Sequence, residues 1–321
     1  MSVIRHRLVT RSDFDGLVCA VLLKELGLID RVMFVHPKDV QDGRVEIGSG
    51  DITTNLPYAA AAHRAFHHHP AETLHNTAHV GNQVVDPAAP STARVIWSHY
   101  GGASTFRKID PELIEAVDRA TSARHALDDV LQPSGWTLLG FVTDPRTGLG
   151  RYRRFKVSNY RLMFDLIEAC RTLSVASILA LPDVAERVEL YHQHAPRAVD
   201  QLLATSTVRG NAVVVDLKQE SQIWSTNRFT VYALYPQCNV SLHRLWGRQG
   251  RNIVFALGRS IFDRTCITDI GALCRRYGGG GLAAAGTCQI GHEFSDRVLA
   301  ELLDQLHADE AIRLQRSARG R

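Results

Sequence analysis

The sequence predicts an α/β protein in which an N-terminal domain built on a doubly wound parallel sheet is followed by a smaller α/β domain. Three observations predict this. From residue 4 to about 195, short β-branched runs alternate with longer stretches of helical periodicity, the rhythm of a parallel sheet with crossover helices. After residue 206 the rhythm changes to four strand-like runs in quick succession. The length, 321 residues, also exceeds the ~100–200 residues of a usual domain. The expected division is a first domain at 1–195, a linker at 196–208 and a second domain at 209–321.

In chain order, "IRHRLVT" reads as the first strand, "GLVCAVLLKELGLI" as the helix after it and "RVMFVHP" as the second strand. Helical periodicity returns in "PSTARVIWSHYGG", "DPELIEAVDRATSARHAL" and "NYRLMFDLIEACRTLSVASILAL". "DVAERVELYHQHAPRAVDQLLATS" is amphipathic without strand character, a long helix joining the two domains. "NAVVVDL", "FTVYALYP", "CNVSLHRLW" and "NIVFALG" read as four strands. A helix, a glycine run and a last helix from Asp296 complete the chain.

Composition narrows the function classes. Hydrophobic residues at 45% and charged residues at 22% are ordinary globular values, so the chain buries a core. The start, "MSVIRHRLVT", has no apolar signal region, and no window approaches the ~18 apolar residues of a spanning helix. A cytoplasmic protein without a membrane partner is the expectation. The six cysteines show no C-x-x-C spacing, which argues against a zinc knuckle or disulfide framework. A net charge of +4 suits an anionic ligand.

Three stretches carry chemistry. In "TRSDFDGLVCA", Asp13 and Asp15 alternate across the end of a strand and Gly16 opens a helix, which gathers two carboxylates at the carboxyl edge of a parallel sheet, where ligands bind. Such carboxylates with oxygen and imidazole partners suit Mn²⁺ or Mg²⁺; an ordinary turn with Asp15 capping the helix accounts for the same letters. In "AFHHHPAETLH", His67, His68 and His69 form either a metal-binding cluster or a polar loop. In "RRYGGGGLAAAGTCQI", the four glycines Gly278, Gly279, Gly280 and Gly281 are costly to order. They suit a nest of backbone N–H groups around an anion, or a hinge. Asp51, in "GSGDITTNLP", reads as a loop residue after a strand.

In this order the segments resemble the DHH/DHHA1 phosphoesterase superfamily, in particular its bacterial exopolyphosphatase-like branch, along nearly the whole chain. "RSDFDGLVCAVLLKE" is similar to the family's first carboxylate motif, and Asp51 stands for its second. "AFHHHPAETL" stands where Asp-His-His is expected, and the glycine run resembles Gly-Gly-Gly-His-x-x-Ala-Ala-Gly. "DPAAPSTARVIWSHYGG", "TDPRTGLGRYRRFKVSNYRLM" and "YPQCNVSLHRLWG" resemble further segments. The chain departs from the pattern at Arg11, where His is usual, at His67, which replaces the Asp, and at Leu282, which replaces the C-terminal His. Near Asp118, Thr121 stands where a second Asp is common.

The resemblance implies a DHH domain and a DHHA1 domain with the active site in the cleft between them. It implies metal ligation by Asp13, Asp15, Asp51, His67, His68 and Asp118, and catalysis by His68, His69 and Asp15. It implies substrate contacts from Arg11, Arg259 and the glycines 278–281. The implied cofactor is a divalent metal, Mn²⁺ first and Mg²⁺, Fe²⁺ or Zn²⁺ as alternatives, activating water for attack on phosphorus. The implied partners are a small anionic phosphorylated substrate (a short oligonucleotide, a nucleotide or polyphosphate), short single-stranded nucleic acid, and a second copy of the chain as a homodimer. Imidazole at position 67 removes a negative charge and a bridging oxygen, which weakens a close pair of hard cations. Three readings therefore stay open: a working phosphohydrolase or phosphodiesterase, a repurposed member with a different metal or reaction, and a non-catalytic anion-binding protein.

Overall fold

The computed structural model describes residues 5–68, 81–152 and 155–319, and the chain divides into two compact units, Met1–Tyr191 and His192–Arg321. The first unit begins with strand β1 (His6–Arg11), in which the adjacent residues Leu8 and Val9 are both wholly buried. Burial on both faces marks an inner strand of a parallel sheet. Helix α1 (Phe14–Glu25) follows, apolar all round, with every residue from Phe14 to Leu23 buried. β2 (Ile29–Val35), helix α2 (Pro37–Gln41), β3 (Asp51–Thr54), β4 (Arg64–His67) and β5 (Gln83–Val85) come next.

The strands lie in the order β2-β1-β3-β4-β5, and every pairing is parallel. The chain passes from β1 outward to β2 and then returns to the other side of β1 for β3. That reversal opens a crevice at the carboxyl ends of β1 and β3, the place where such sheets bind ligands. The remainder of the unit is helical: α3 (Thr92–His99), α4 (Pro111–Ser122), α5 (Leu127–Leu131), α6 (Gly135–Thr143), α7 (Asn159–Thr172), α8 (Val175–Leu179) and the start of α9 (Pro182–Thr205). α3, α4 and α7 pack around α1, which explains why α1 has no polar face.

Two sequence expectations change here. Asp51, expected in a loop after a strand, is instead the first residue of one, and no strand lies between α2 and it; Gly48 N donates to Asp51 Oδ2 (2.8 Å) and Asp51 N to Gly48 O (3.0 Å), closing a turn so that β3 begins at Asp51. The stretch 196–208 is the second half of α9 and the start of β6 (Ser206–Arg209), inside the second unit.

The second unit continues with β7 (Ala212–Asp216), α10 (Thr230–Leu234), β8 (Val240–Trp246), β9 (Ile253–Arg259), α11 (Ile270–Arg275), β10 (Gly280–Leu282), β11 (Ala285–Ile290) and α12 (Ser295–Arg319). Its sheet runs β10-β11-β9-β8-β7-β6, antiparallel except for the β7–β8 pair. Val214, Leu242, Phe255 and Leu257 on one sheet face pack with Ile270 and Leu273 of α11 and Val298, Leu302 and Leu306 of α12. "FTVYALYP", read as a strand, holds helix α10. Parallel neighbours β7 and β8 need a crossover, and α10 supplies it with Phe229, Val231 and Tyr232 buried. Among the described residues no helix is long and apolar enough to cross a membrane. All six cysteines are buried free thiols.

Candidate active site

Asp13 and Asp15 follow β1 at the switch point. Asp13 Oδ1 accepts from Gly16 N (2.9 Å) and so caps α1, while Oδ2 lies 3.1 Å from Arg11 Nε. Gly16 is required by packing: a Cβ there would lie 2.0 Å from Arg11 O and 2.8 Å from Thr10 Oγ1. Asp15, 4% exposed, accepts from Thr92 N (3.1 Å) and Ala93 N (2.8 Å), so the start of α3 closes over it. Cys19 Sγ lies beneath Asp15 Oδ1 at 3.7 Å. Near the carboxyl ends of the two strands the buried Thr10 and Thr54 hydroxyls join β1 to β3 at 2.6 Å.

The carboxyl end of β3 delivers Asn55, with φ of +57°, and its Oδ1 accepts from Thr92 Oγ1 (2.5 Å). The carboxyl end of β4 delivers His67 and His68, 3% and 7% exposed. His68 Nδ1 is 2.7 Å from Thr92 Oγ1; the His67 ring stands edge-on to Tyr58 with centroids 6.5 Å apart. Asp15, Asn55 and His68 are therefore joined through one threonine.

Burial raises the Asp15 carboxyl to about 7, with the charge of Asp13 as the next cause, against the amides of Ala93 and Thr92. Burial likewise raises Asp13; Arg11, Gly16 N and Arg146 oppose the rise, and the charge of Asp144 adds to it. Asp144, the C-cap of α6, thus belongs to this cluster, its carboxylate gripped by Arg146 Nε (2.8 Å). Among the described residues no group of three or more His, Cys, Asp or Glu side chains is gathered to hold a metal ion. The carboxylates turn instead to backbone amides and to the guanidinium groups of Arg11 and Arg146. The donor types are nonetheless ones a divalent cation takes: the neighbouring carboxylates Asp13 and Asp15, with the His68 imidazole joined to Asp15 through Thr92, suit Mn²⁺, Mg²⁺ or Fe²⁺.

Of two further residues assigned to this cluster from the sequence, one lies elsewhere and the other is held by different partners. Asp51 is the first residue of β3, at the opposite end of the sheet from Asp13, where Arg7 Nε and Nη2 donate to its two oxygens at 2.8 Å each. Asn55 occupies the carboxyl end in its place. Asp118 binds the Ser91 hydroxyl (2.6 Å) and Arg94 Nε (2.7 Å), fixing the start of α3 against α4. Asn55, Thr92, Asp144 and Arg146 were missed as individual residues. The one available signal was "TDPRTG", an acid and a proline ending an apolar helix. His69 lies outside the described residues.

In the second unit, Arg259 Nε donates to Thr268 O (2.8 Å), bracing the loop before α11. Gly279 and Gly281 are sterically required: added Cβ atoms would lie 2.0 Å from Thr287 O and 2.2 Å from Ala285 O. Gly278 (φ +72°) and Gly280 have open space, and Leu282 is 62% exposed.

A doubly wound parallel sheet with aspartates at its switch point, followed by a mixed sheet carrying a glycine strand, defines the class: the chain belongs to the DHH phosphoesterase superfamily and is a phosphoric ester hydrolase. Its similarity is pronounced to the pGpG-specific phosphodiesterase PggH from Vibrio cholerae, at 54% identity over 95% of this chain and 100% of that one, with a TM-score of 0.83. An exopolyphosphatase-related protein from Bacteroides fragilis shares the fold at 13% identity, covering 96% of this chain and 94% of its own, with a TM-score of 0.53. CDC45 from Entamoeba histolytica shares it at 10% identity, 94% and 95% coverage and a TM-score of 0.51. No protein-family model and no curated protein matches the sequence.

Proposed function

We propose that this protein hydrolyses pGpG or a closely similar 5′-phosphorylated dinucleotide to two mononucleotides in a reaction that depends on a divalent cation, with Asp13 and Asp15 the carboxylates nearest the carboxyl end of β1 to receive it. The observation that carries the reading is the 54% identity to PggH across the whole of that enzyme. A bound divalent cation supplies Lewis acidity and a hydroxide nucleophile at neutral pH. The chain's own residues do the rest. Asp13 and Asp15 concentrate negative charge at the switch point. Arg11, against Asp13, and Arg146, against Asp144, offer guanidinium groups suited to paired contacts with phosphate oxygens.

The test incubates the purified chain with pGpG and Mn²⁺, Mg²⁺, Fe²⁺ or Zn²⁺ and quantifies GMP by chromatography. Parallel reactions contain pApA, longer oligonucleotides, 3′-phosphoadenosine 5′-phosphate and polyphosphate. The expected result is GMP from pGpG at the highest rate of the panel, abolished by EDTA. Absence of GMP with every metal, or preferential cleavage of polyphosphate, overturns the proposal.

A further inference from the structure

Helices α1 and α7 lie side by side and run in the same direction. At their carboxyl ends Lys24 Nζ sits 2.5 Å from Glu168 Oε1, and Arg171 Nη2 sits 2.8 Å from Glu25 Oε2. Tyr160 lies about 12 Å back along α7 from Glu168, and Asp15 about 14 Å back along α1 from Lys24, at ~1.5 Å per residue. The start of α7 therefore stands beside the start of α1, at the carboxyl edge of the sheet. Phe34 lies at the same level: it is one residue from the end of β2 and pairs with Thr10 of β1. The rings of Tyr160 and Phe164 meet Phe34 at steep angles, with centroids 6.3 and 5.2 Å away, and each other at 5.1 Å.

Phe34 is buried, and Phe164 is the nearer of the two rings that cover it. Tyr160 is 52% exposed. Two rings set steeply against it hold it in place, and they leave an aromatic surface open one strand away from Asp13 and Asp15. A phenol ring has an apolar body and a polar tip, which suits a half-wet contact with a heterocycle. Every nucleobase has a π-face, so an aromatic ring beside a phosphate-handling site can take the base attached to that phosphate. Arg11, half-exposed at the end of β1, is the neighbouring cation for the phosphate itself. We infer that Tyr160 is the nucleobase platform of the candidate site, stacking on one base of the dinucleotide whose phosphodiester reaches the end of β1. Stacking tolerates any base, so Tyr160 selects nucleotides over polyphosphate and not guanine over adenine. The identity of the substrate rests on the proposed function; the stacking role can be measured apart from it.

The experiment has two arms. Steady-state kinetics with Mn²⁺ on pGpG and on pApA compare wild type, Tyr160→Ala and Tyr160→Phe. Tyr160→Ala should raise KM ~10–100-fold for both dinucleotides with kcat little changed, as for the loss of one stacked base. Tyr160→Phe keeps the ring and should retain the wild-type KM. In the second arm, protein carrying ring-¹³C tyrosine is titrated with GMP and, separately, with ribose 5-phosphate in MgCl₂, and the Tyr160 signals are those lost in Tyr160→Phe. GMP should move them upfield and ribose 5-phosphate should not. An unchanged KM in Tyr160→Ala overturns the inference, as do Tyr160 signals that ignore GMP or move equally with ribose 5-phosphate. If Tyr160→Ala does not fold, the titrations of wild type decide alone. A wild type whose Tyr160 signals move with GMP yet which cleaves no pGpG with any metal sinks the proposed function and supports the stacking role. Full pGpG turnover by a protein whose Tyr160 ignores GMP sinks only the inference.

Discussion

Replacing Asp15 by Asn should alter how the stability of the protein in EDTA depends on pH, by an amount that follows from the site. Burial, then the charge of Asp13, holds the Asp15 carboxyl at about 7, against ~3.9 for an ordinary aspartate. A carboxyl with a raised folded-state pKa holds its proton more tightly in the folded chain than in the unfolded one. The stability it contributes is complete below about pH 4 and is lost as pH rises through about 7. Roughly three units at ~1.36 kcal/mol each make this ~4 kcal/mol. The amide that replaces the carboxyl does not titrate. It also places an NH₂ group where one backbone amide had an acceptor, at a cost of ~1–3 kcal/mol that does not vary with pH. The difference in unfolding free energy, wild type minus D15N, should therefore fall by ~4 kcal/mol between about pH 4 and pH 7 and then level off. Urea denaturation of both proteins across that range measures it. A difference that stays constant, or that grows with pH, would refute the argument, since Asp15 would then ionise at an ordinary value despite its burial.

Asp51 should behave in the opposite sense. Burial opposes its ionisation, but Arg7 and the Gly48 amide together hold its carboxyl below the usual range. Its contribution is present above about pH 4 and lost as pH falls through the lowered value; Asp51→Asn should cost ~1–3 kcal/mol at pH 7, fade in acid, and leave Mn²⁺ affinity unchanged by calorimetry. Asp144→Asn should lower kcat for pGpG by ~100-fold, about 3 kcal/mol of transition-state stabilisation, with little change in Tm. Asp118→Asn should instead lower Tm, because it loosens Ser91 and Arg94. Gly279→Ala should destabilise by ~1–3 kcal/mol in thermal denaturation, since its Cβ meets Thr287 O, whereas Gly280→Ala meets nothing and should leave Tm unchanged. A raised KM for pGpG in Gly280→Ala would indicate an anion-binding role for the loop.

The sequence by itself determined what depends on neighbours along the chain. Alternating β-branched and helical runs are local patterns, so the parallel sheet, the buried α1 and the long α9 were legible. So was the Asp13-x-Asp15-Gly16 turn, whose cap and close approach lie within a few residues of each other. Only the tertiary structure decided which acid reaches the switch point. Asp51 and Asn55 are separated by four residues at ~3.3 Å each, so a short strand carries them to opposite edges of the sheet. No local pattern records where that strand begins. "FTVYALYP" has strand-like letters, yet the parallel pairing of β7 and β8 requires a crossover there, and pairing is settled by the whole sheet. Asp118 and Asp144 are both acids near helix ends. Packing of α4 against α3 commits the first to Ser91 and Arg94, and the end of α6 brings the second to Asp13. Thr92 is an ordinary letter in the sequence. It becomes the hub of the site because the order β1-β3-β4 brings the ends of three strands to the first turn of one helix.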